Sequence, residues 1–361
     1  MNIKSLLLGS AAAMIAVSGA RAADAIVIAE PEPVEYVRVC DVYGTGYFYI
    51  PGTETCLKVG GYVRFEVRNI GGDDEDFNND GYDTRARFAP TFTVKSETEL
   101  GTLTGYGRIF AQYDSNGTSP TGFDSGTGEL VFSETGSNST VIEHAQISLA
   151  TATGTFLVGY GDTPYSRFLD YGGPTINDGS YGDRNASEIS YTFTGGNGFS
   201  AIIAAVDNDE NGDWDTNFEG GVRFTQAWGW IGGMAGYDGV ADEWGGKVGV
   251  GFKIPNTAIE LTVQGLYSSD TDVENYYSLL DNGNAYGTAE LAEWAVLAGA
   301  SVAFNEKVGL AGTFQYFDTE EWFAAVSLPI SPVAGLSITP EVNYVSRDEA
   351  FNGILRFQRS F

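Results

Sequence analysis

The sequence predicts an all-β chain closed into a transmembrane antiparallel β-barrel of about sixteen strands, with long extracellular loops. Three observations carry this expectation. Segments of about ten residues alternate apolar and polar side chains, as a strand with one oily and one wet face must. Short turns alternate with long loops along the chain. The final stretch, Gly353 to Phe361, sets Leu355, Phe357 and Phe361, interrupted only by Arg359, against Arg356, Gln358 and Ser360, and it stops on an aromatic residue, as a strand ending in an interface belt does.

The closing strand needs a partner, because an open edge in lipid leaves backbone groups unpaired at several kcal/mol each. Val59, Gly61, Val63, Phe65 and Val67 alternate with Lys58, Tyr62, Arg64, Glu66 and Arg68, so the first strand carries the same pattern as the last. From there the strands are expected near Leu57–Arg68, Thr84–Glu97, Thr102–Tyr113, Val141–Ala150, Thr155–Gly161, Glu188–Phe193, Phe199–Val206, Glu219–Ala227, Trp230–Tyr237, Trp244–Ile254, Ala258–Ser268, Glu293–Phe304, Val308–Phe317, Trp322–Ile330, Leu336–Val345 and the C-terminal stretch. Short turns fall at Glu99-Leu100-Gly101, Pro255-Asn256-Thr257, Asn305-Glu306-Lys307 and Ser331-Pro332-Val333-Ala334-Gly335. Outward faces such as Trp294, Val296, Ala298, Ala300, Val302 and Phe304 oppose Glu293, Ser301, Thr313 and Gln315. The interior should therefore hold water, and a barrel of this size is wide enough for a channel.

Composition excludes several classes. The 361 residues exceed the usual single globular core, yet a barrel grows by adding strands and needs no second domain. A formal charge of −29 leaves no basic face for phosphates, so nucleic acid is excluded as a partner. A mean hydropathy near zero hides no helical membrane protein. Lys4, the uncharged run Ser5 to Ala20 and the Ala20-Arg21-Ala22 site read as a secretory signal peptide over residues 1–22. Residues 23–57 read as an N-terminal extension and 58–361 as the barrel. Cys40 and Cys56 read as a disulfide of an exported protein, because a zinc site would need two more ligands and the chain has one histidine.

The cysteine-bounded segment Cys40 to Cys56, continued through Lys58-Val59-Gly60-Gly61-Tyr62-Val63-Arg64, closely resembles the opening of the alphaproteobacterial outer-membrane porin family. The ending Arg356-Phe357-Gln358-Arg359-Ser360-Phe361 resembles it more loosely. The resemblance implies a homotrimer in the Gram-negative outer membrane, in contact with lipid and lipopolysaccharide, that passes small hydrophilic solutes and ions. It also implies that the long connection between the fifth and sixth strands, Asp162 to Asn185, folds inward and narrows the channel, which would make Asp170, Asp178 and Asp183 acids of the constriction.

An arginine facing lipid at mid-membrane costs about 2–4 kcal/mol, so Arg64, Arg85, Arg87 and Arg108 must face the lumen, with Arg68, Lys58 and Lys95 near them. Opposite an acidic loop, they would set up a transverse field in a narrow waist. The same arginines could instead pair with Glu66, Glu97 and Glu143 and merely satisfy the interior. His144 alternates with Gln146 and Ser148 and reads as a wall residue, so no catalytic residue and no enzyme activity is expected. Asp76-x-Asn78-x-Asp80-Gly81 and Asp207-x-Asp209-x-Asn211-Gly212 open like calcium loops, but the required twelfth-position glutamate is Arg87 in one and Phe218 in the other, so no metal or cofactor is expected. The functional reading is a passive, water-filled diffusion channel. Three alternatives stay open at this point: a substrate-selective channel, a structural or adhesin barrel with a blocked lumen, and a soluble secreted sandwich or lectin.

Overall fold

The computed structural model describes residues 38–69, 82–115, 119–123, 130–133, 136–208, 215–271, 276–280, 291–347 and 349–361. Sixteen antiparallel strands close into one barrel. They are β1 (Cys56–Asn69), β2 (Tyr82–Thr98), β3 (Gly101–Asp114), β4 (Ser137–Ala150), β5 (Gly154–Asp162), β6 (Asn185–Thr194), β7 (Phe199–Asp207) and β8 (Thr216–Gln226) in the first half. The second half is β9 (Gly229–Asp238), β10 (Glu243–Lys253), β11 (Ile259–Ser268), β12 (Trp294–Ala303), β13 (Gly309–Phe317), β14 (Trp322–Ser327, continued as Ile330–Val333), β15 (Leu336–Val345) and β16 (Ala350–Ser360). Each strand pairs with its neighbours in sequence, and β16 returns to β1 with Glu66 opposite Arg356 and Phe65 opposite Phe357.

The last residue seals the ring. Gly61 N–H donates to the Phe361 carbonyl at 3.1 Å and Phe361 N–H to the Gly61 carbonyl at 3.0 Å. Gly61 sits at φ 136°, and a Cβ there would lie 2.3 Å from the Ala89 carbonyl oxygen, so this crossing of β1 over β2 admits only glycine. Phe361 stacks on Phe88 with ring centroids 6.5 Å apart, on the outer surface.

Outward rings gather at both ends of the barrel, as amphipathic aromatic groups do at the two membrane interfaces. Near the short turns stand Phe156 with Tyr191, Phe193 with Phe199, and Trp228 with Phe252. Near the long loops stand Trp244 with Tyr267, Trp294 with Tyr316, and Trp322 with Tyr344. The band between them is largely Val, Ile, Leu, Ala and Gly, with Phe65 and Phe88 on β1 and β2.

Two local expectations change. The stretch Ser331 to Val333, expected as part of a turn, belongs to β14. Leu328 and Pro329 break the strand, which resumes at Ile330 because Ser331 N–H donates to Lys307 and Gly309 N–H to Pro329, while the register on the β15 side shifts around Pro332, which has no N–H to give. Glu293, expected on the inner face, lies just before β12 at the rim, where it accepts from the Tyr267 hydroxyl at 3.2 Å. A small hairpin, Ser119–Phe123 with Leu130–Ser133, stands in the connection between β3 and β4.

Before the barrel, a disulfide joins Cys40 to Cys56 and a short strand, Tyr47–Tyr49, pairs with the start of β1, so the first barrel strand begins at the second cysteine. Lys58 and Lys95 lie here, each within 6 Å of the Tyr47 ring, and not among the arginines. Residues 1–37 lie outside the described residues, as do residues 70–81 and 209–214, which hold most of the two calcium-like stretches.

Candidate functional site

Arg64, Arg85, Arg87 and Arg108 come together on the inner face of three adjacent strands, β1 to β3, because residues two apart share a face and the register sets Arg64 beside Arg87 and Glu66 beside Arg85. β16 adds Arg356, which donates to Glu66 at 2.5 Å. Arg64 donates to Gln358 at 2.9 Å and lies over the Tyr62 ring at 4.5 Å. Arg85 pairs with Asp114 at 2.6 Å, Arg108 with Glu143 at 2.7 Å, and Arg68 with Asp83. Among the described residues Arg87 has neutral partners: it donates to the Gln112 side chain at 2.6 Å, bonds the Tyr62 hydroxyl and lies over the Phe110 ring at 4.1 Å. Glu97, expected to pair with an arginine, instead accepts from Thr102 at 2.9 Å, one strand over and close to the short-turn end. Polar neighbours on strands are set by pairing register, so partners followed once the register was known.

The connection between β5 and β6 folds into the barrel. It opens with a single helical turn, α1 (Pro164–Arg167), whose first residues are capped by the Thr163 hydroxyl. The rest is irregular, so its backbone donors need partners, and the opposite wall supplies them. Ile176 and Asn177 N–H both donate to the Glu341 carboxylate, at 2.5 and 2.9 Å. Ser180 N–H donates to Gln315 Oε1 at 2.7 Å, and Gln315 Nε2 returns a bond to the Ser180 carbonyl at 2.6 Å. Tyr165 N–H donates to Glu219 at 2.6 Å, and Gln264 Nε2 donates to the Tyr171 carbonyl at 2.9 Å. Lys247, 2 % exposed, donates to the Tyr181 carbonyl at 3.1 Å with the Tyr165 ring 4.8 Å away. Gly173 presses so closely on β13 that a Cβ would lie 1.9 Å from the Thr313 hydroxyl oxygen. Side chains from β8, β10, β11, β13 and β15 thus hold one loop against one wall.

Among the three acids expected on this loop, Asp170 takes the left-handed backbone (φ 65°) and makes a bidentate pair with Arg223 of β8 at 2.8 and 3.0 Å. It is thereby tied to the wall behind the loop. Asp178 is half-buried near the loop's apex; burial pushes its carboxyl up to about 7, with the charges of Asp183 and Glu341 adding and that of Arg356 opposing. Asp183 is exposed. His144 stands on the wall as expected, 3.4 Å from Asp162, which also accepts from the Tyr171 hydroxyl at 2.6 Å.

The anchors Glu219, Lys247, Gln264, Gln315 and Glu341 were not legible as a group. Each shows only as a polar residue on the inner side of its strand, and Lys247 is conspicuous as the one charge inside a Gly/Val run, but the loop that unites them is far away in sequence. A second inserted element was also missed. Tyr276 and Tyr277, from the connection between β11 and β12, pack on Tyr165 of α1 (Tyr165 to Tyr277, 4.9 Å), and the Tyr276 carbonyl accepts from Arg184 at 3.1 Å.

A closed barrel with a polar inner face and a loop folded inside it against one wall has counterparts among known proteins. The model of a family described as "Porin subfamily" matches residues 24–359. The chain belongs to the porin family. Among curated relatives, it is 43% identical to Porin Omp2a of Brucella suis biovar 1 and 42% identical to Porin Omp2b of Brucella canis, with 100% of both chains covered in each case. Its fold is shared with a triple mutant of Rhodopseudomonas blastica porin (TM-score 0.57, 14% identity, 84% of this chain and 100% of that one). It is shared too with the outer membrane channel DcaP of Acinetobacter baumannii (TM-score 0.59, 17% identity, 87% and 99%). This porin is therefore a diffusion channel of the Gram-negative outer membrane, crossing it as a multi-pass β-barrel, and the family is one of channels and not of enzymes.

Proposed function

We propose that this porin sorts small hydrophilic solutes and ions at a waist between the arginine wall (Arg64, Arg85, Arg87 and Arg108) and the inward loop bearing Asp170, Asp178 and Asp183. Cations and anions on opposite walls align water across the gap, so a polar solute that can reorient with the field enters at less cost than an apolar one that must break it. Size, charge and polarity then decide passage. Asp178 and Asp183 are the acids on the lumen side of the loop, whereas Asp170 serves the waist by tying the loop to Arg223. The observation that carries the reading is that the loop is held by its backbone, through Glu341 and Gln315, which leaves Asp178 within electrostatic reach of Arg356 beside the arginine wall. The test is the reversal potential across a planar bilayer under a salt gradient. Neutralising Arg85, Arg87 and Arg108 together should move it toward cations, and an unchanged value would sink the assignment.

The working unit is a homotrimer embedded among lipid and lipopolysaccharide. Small outward residues, Ala298, Ala300, Gly312 and Ala324, support close subunit packing, and conductance steps arriving in threes would test it. Residues 1–22 act as a signal peptide and 23–57 as an extension stapled by its disulfide. No cofactor or metal takes part.

A further inference from the structure

Between the inward loop and the short-turn mouth, the inner face of β5 to β8 recedes into a pocket of about 430 Å3, within the range of small-molecule sites. Its floor carries hydroxyls from four strands, Thr155, Thr192, Ser200 and Thr225, all near the short turns, beside Leu157, Ile202 and Ser190, whose own hydroxyl bonds Glu188. None of the first four hydroxyls has a side-chain or backbone partner among the described residues, so each offers a donor and two acceptor positions to whatever fills the recess. The roof is the loop itself, with the rings of Phe168 and Tyr171.

The charges at the rim are already spent on the protein. Arg167 makes a bidentate pair with Glu188 at 2.8 and 2.9 Å. Arg223 makes another with Asp170, donates to the Phe168 carbonyl at 3.0 Å, and lies over the Trp230 ring at 4.5 Å. A charged solute would face a neutralised rim holding both signs. An uncharged solute bearing many hydroxyls meets a matching array of hydroxyls below and apolar ring surface above, which are the two kinds of surface that a sugar ring itself presents.

We infer that this recess is a retention site for uncharged polyhydroxylated solutes, free sugars, which pause there on the short-turn side of the waist. The inference rests on the channel reading, since it supposes that sugars reach the lumen. It adds a residence point distinct from the arginine wall.

The test uses the full-length protein folded in detergent, with sucrose as the probe and saturation-transfer NMR as the readout, alongside bilayer conductance of the same preparations. Sucrose should bind saturably. Thr155→Val, Thr192→Val and Thr225→Val together, which keep shape and remove hydroxyls, should weaken that binding about ten-fold, as the loss of a few modest hydrogen bonds predicts. Open-channel conductance should stay unchanged. Heat-modifiable gel mobility confirms that the variant is folded, and Ser200→Ala alone should give a smaller loss of the same kind. Saturable binding indifferent to these substitutions overturns the site, as does competition by gluconate equal to that by sucrose, which would mark a guanidinium anion site instead. Conductance without saturable sucrose binding removes the site and leaves the channel standing. Sucrose binding without conductance keeps the site and removes free diffusion.

Discussion

The two walls of this lumen use polar residues for opposite ends. On β1 to β3 and β16 the arginines are half-buried along a wall that the loop leaves uncovered, each holding a partner on its own strand or the next, as with Arg85 and Asp114 or Arg356 and Glu66. On β8 to β15 the polar side chains are buried under the loop and spent on its backbone, as Glu341 is on Ile176 and Asn177. The bare wall keeps its charge facing water, where it can act on a passing ion. The covered wall is an interior, where an unpaired group would cost about 1–3 kcal/mol, so its residues hold shape and not field.

If that division is right, damage to the two walls should have different signatures. The largest effect is expected on the bare wall. Replacing Arg85, Arg87 and Arg108 by Gln should raise the cation-to-anion permeability ratio several-fold, because three cations are lost from the wall while Asp114 and Glu143 keep their charge without a cation partner at Arg85 and Arg108, with little change in thermal stability; reversal potentials and a melting curve read both. On the covered wall the order reverses. Glu341→Ala strands two loop N–H groups and should loosen the loop by about 1–3 kcal/mol, seen as larger and noisier single-channel conductance with selectivity nearly intact. Gly173→Val should act the same way by steric means, since no room exists against Thr313, and a loop that stayed put would mean the contact on β13 yields.

A smaller effect separates field from shape within the loop. Asp178 is raised to about 7 by burial, so it is neutral below that value and gains a negative charge above it. Raising the pH from about 6 to about 8 should therefore make the channel more cation-preferring, and Asp178→Asn should abolish the step. The linkage sign is that of an acid whose folded value lies above its ordinary 3.8: its contribution to stability is complete below 3.8 and is lost as pH climbs through about 7. The smallest effect on conduction is expected from Cys40→Ser. Opening so short a loop costs about 3 kcal/mol locally and should leave conductance unchanged, with the loss visible only as faster proteolysis near the N-terminus.

Much of the barrel was legible from side-chain period alone. Arg64, Arg87 and Arg108 had to face water, since lipid would reject them, and their strands are neighbours in sequence, so their gathering on one wall followed from alternation and hairpin connectivity. The Cys40 to Cys56 bridge followed from an even pair of cysteines in an exported chain, whereas the inward placement of the loop came with the family resemblance, since its spacing alone shows only a long loop. Local chemistry misled where it is ambiguous: Pro332 read as a turn residue, yet a proline also fits a strand at a bulge, and Glu293 fell on the inner parity of a strand that begins one residue later.

The amino-acid sequence by itself determined the barrel, its strand number, its wet interior and the arginine wall, because each rests on a period of two and on neighbours along the chain. Only the tertiary structure decided which residues hold the loop, that Asp170 turns back to Arg223 while Asp178 is half-buried near the loop's apex, and that hydroxyls from four strands share a recess beneath it. Those arrangements join residues far apart in sequence through an irregular backbone, whose donors take whatever acceptors the opposite wall offers, and no periodicity records that choice.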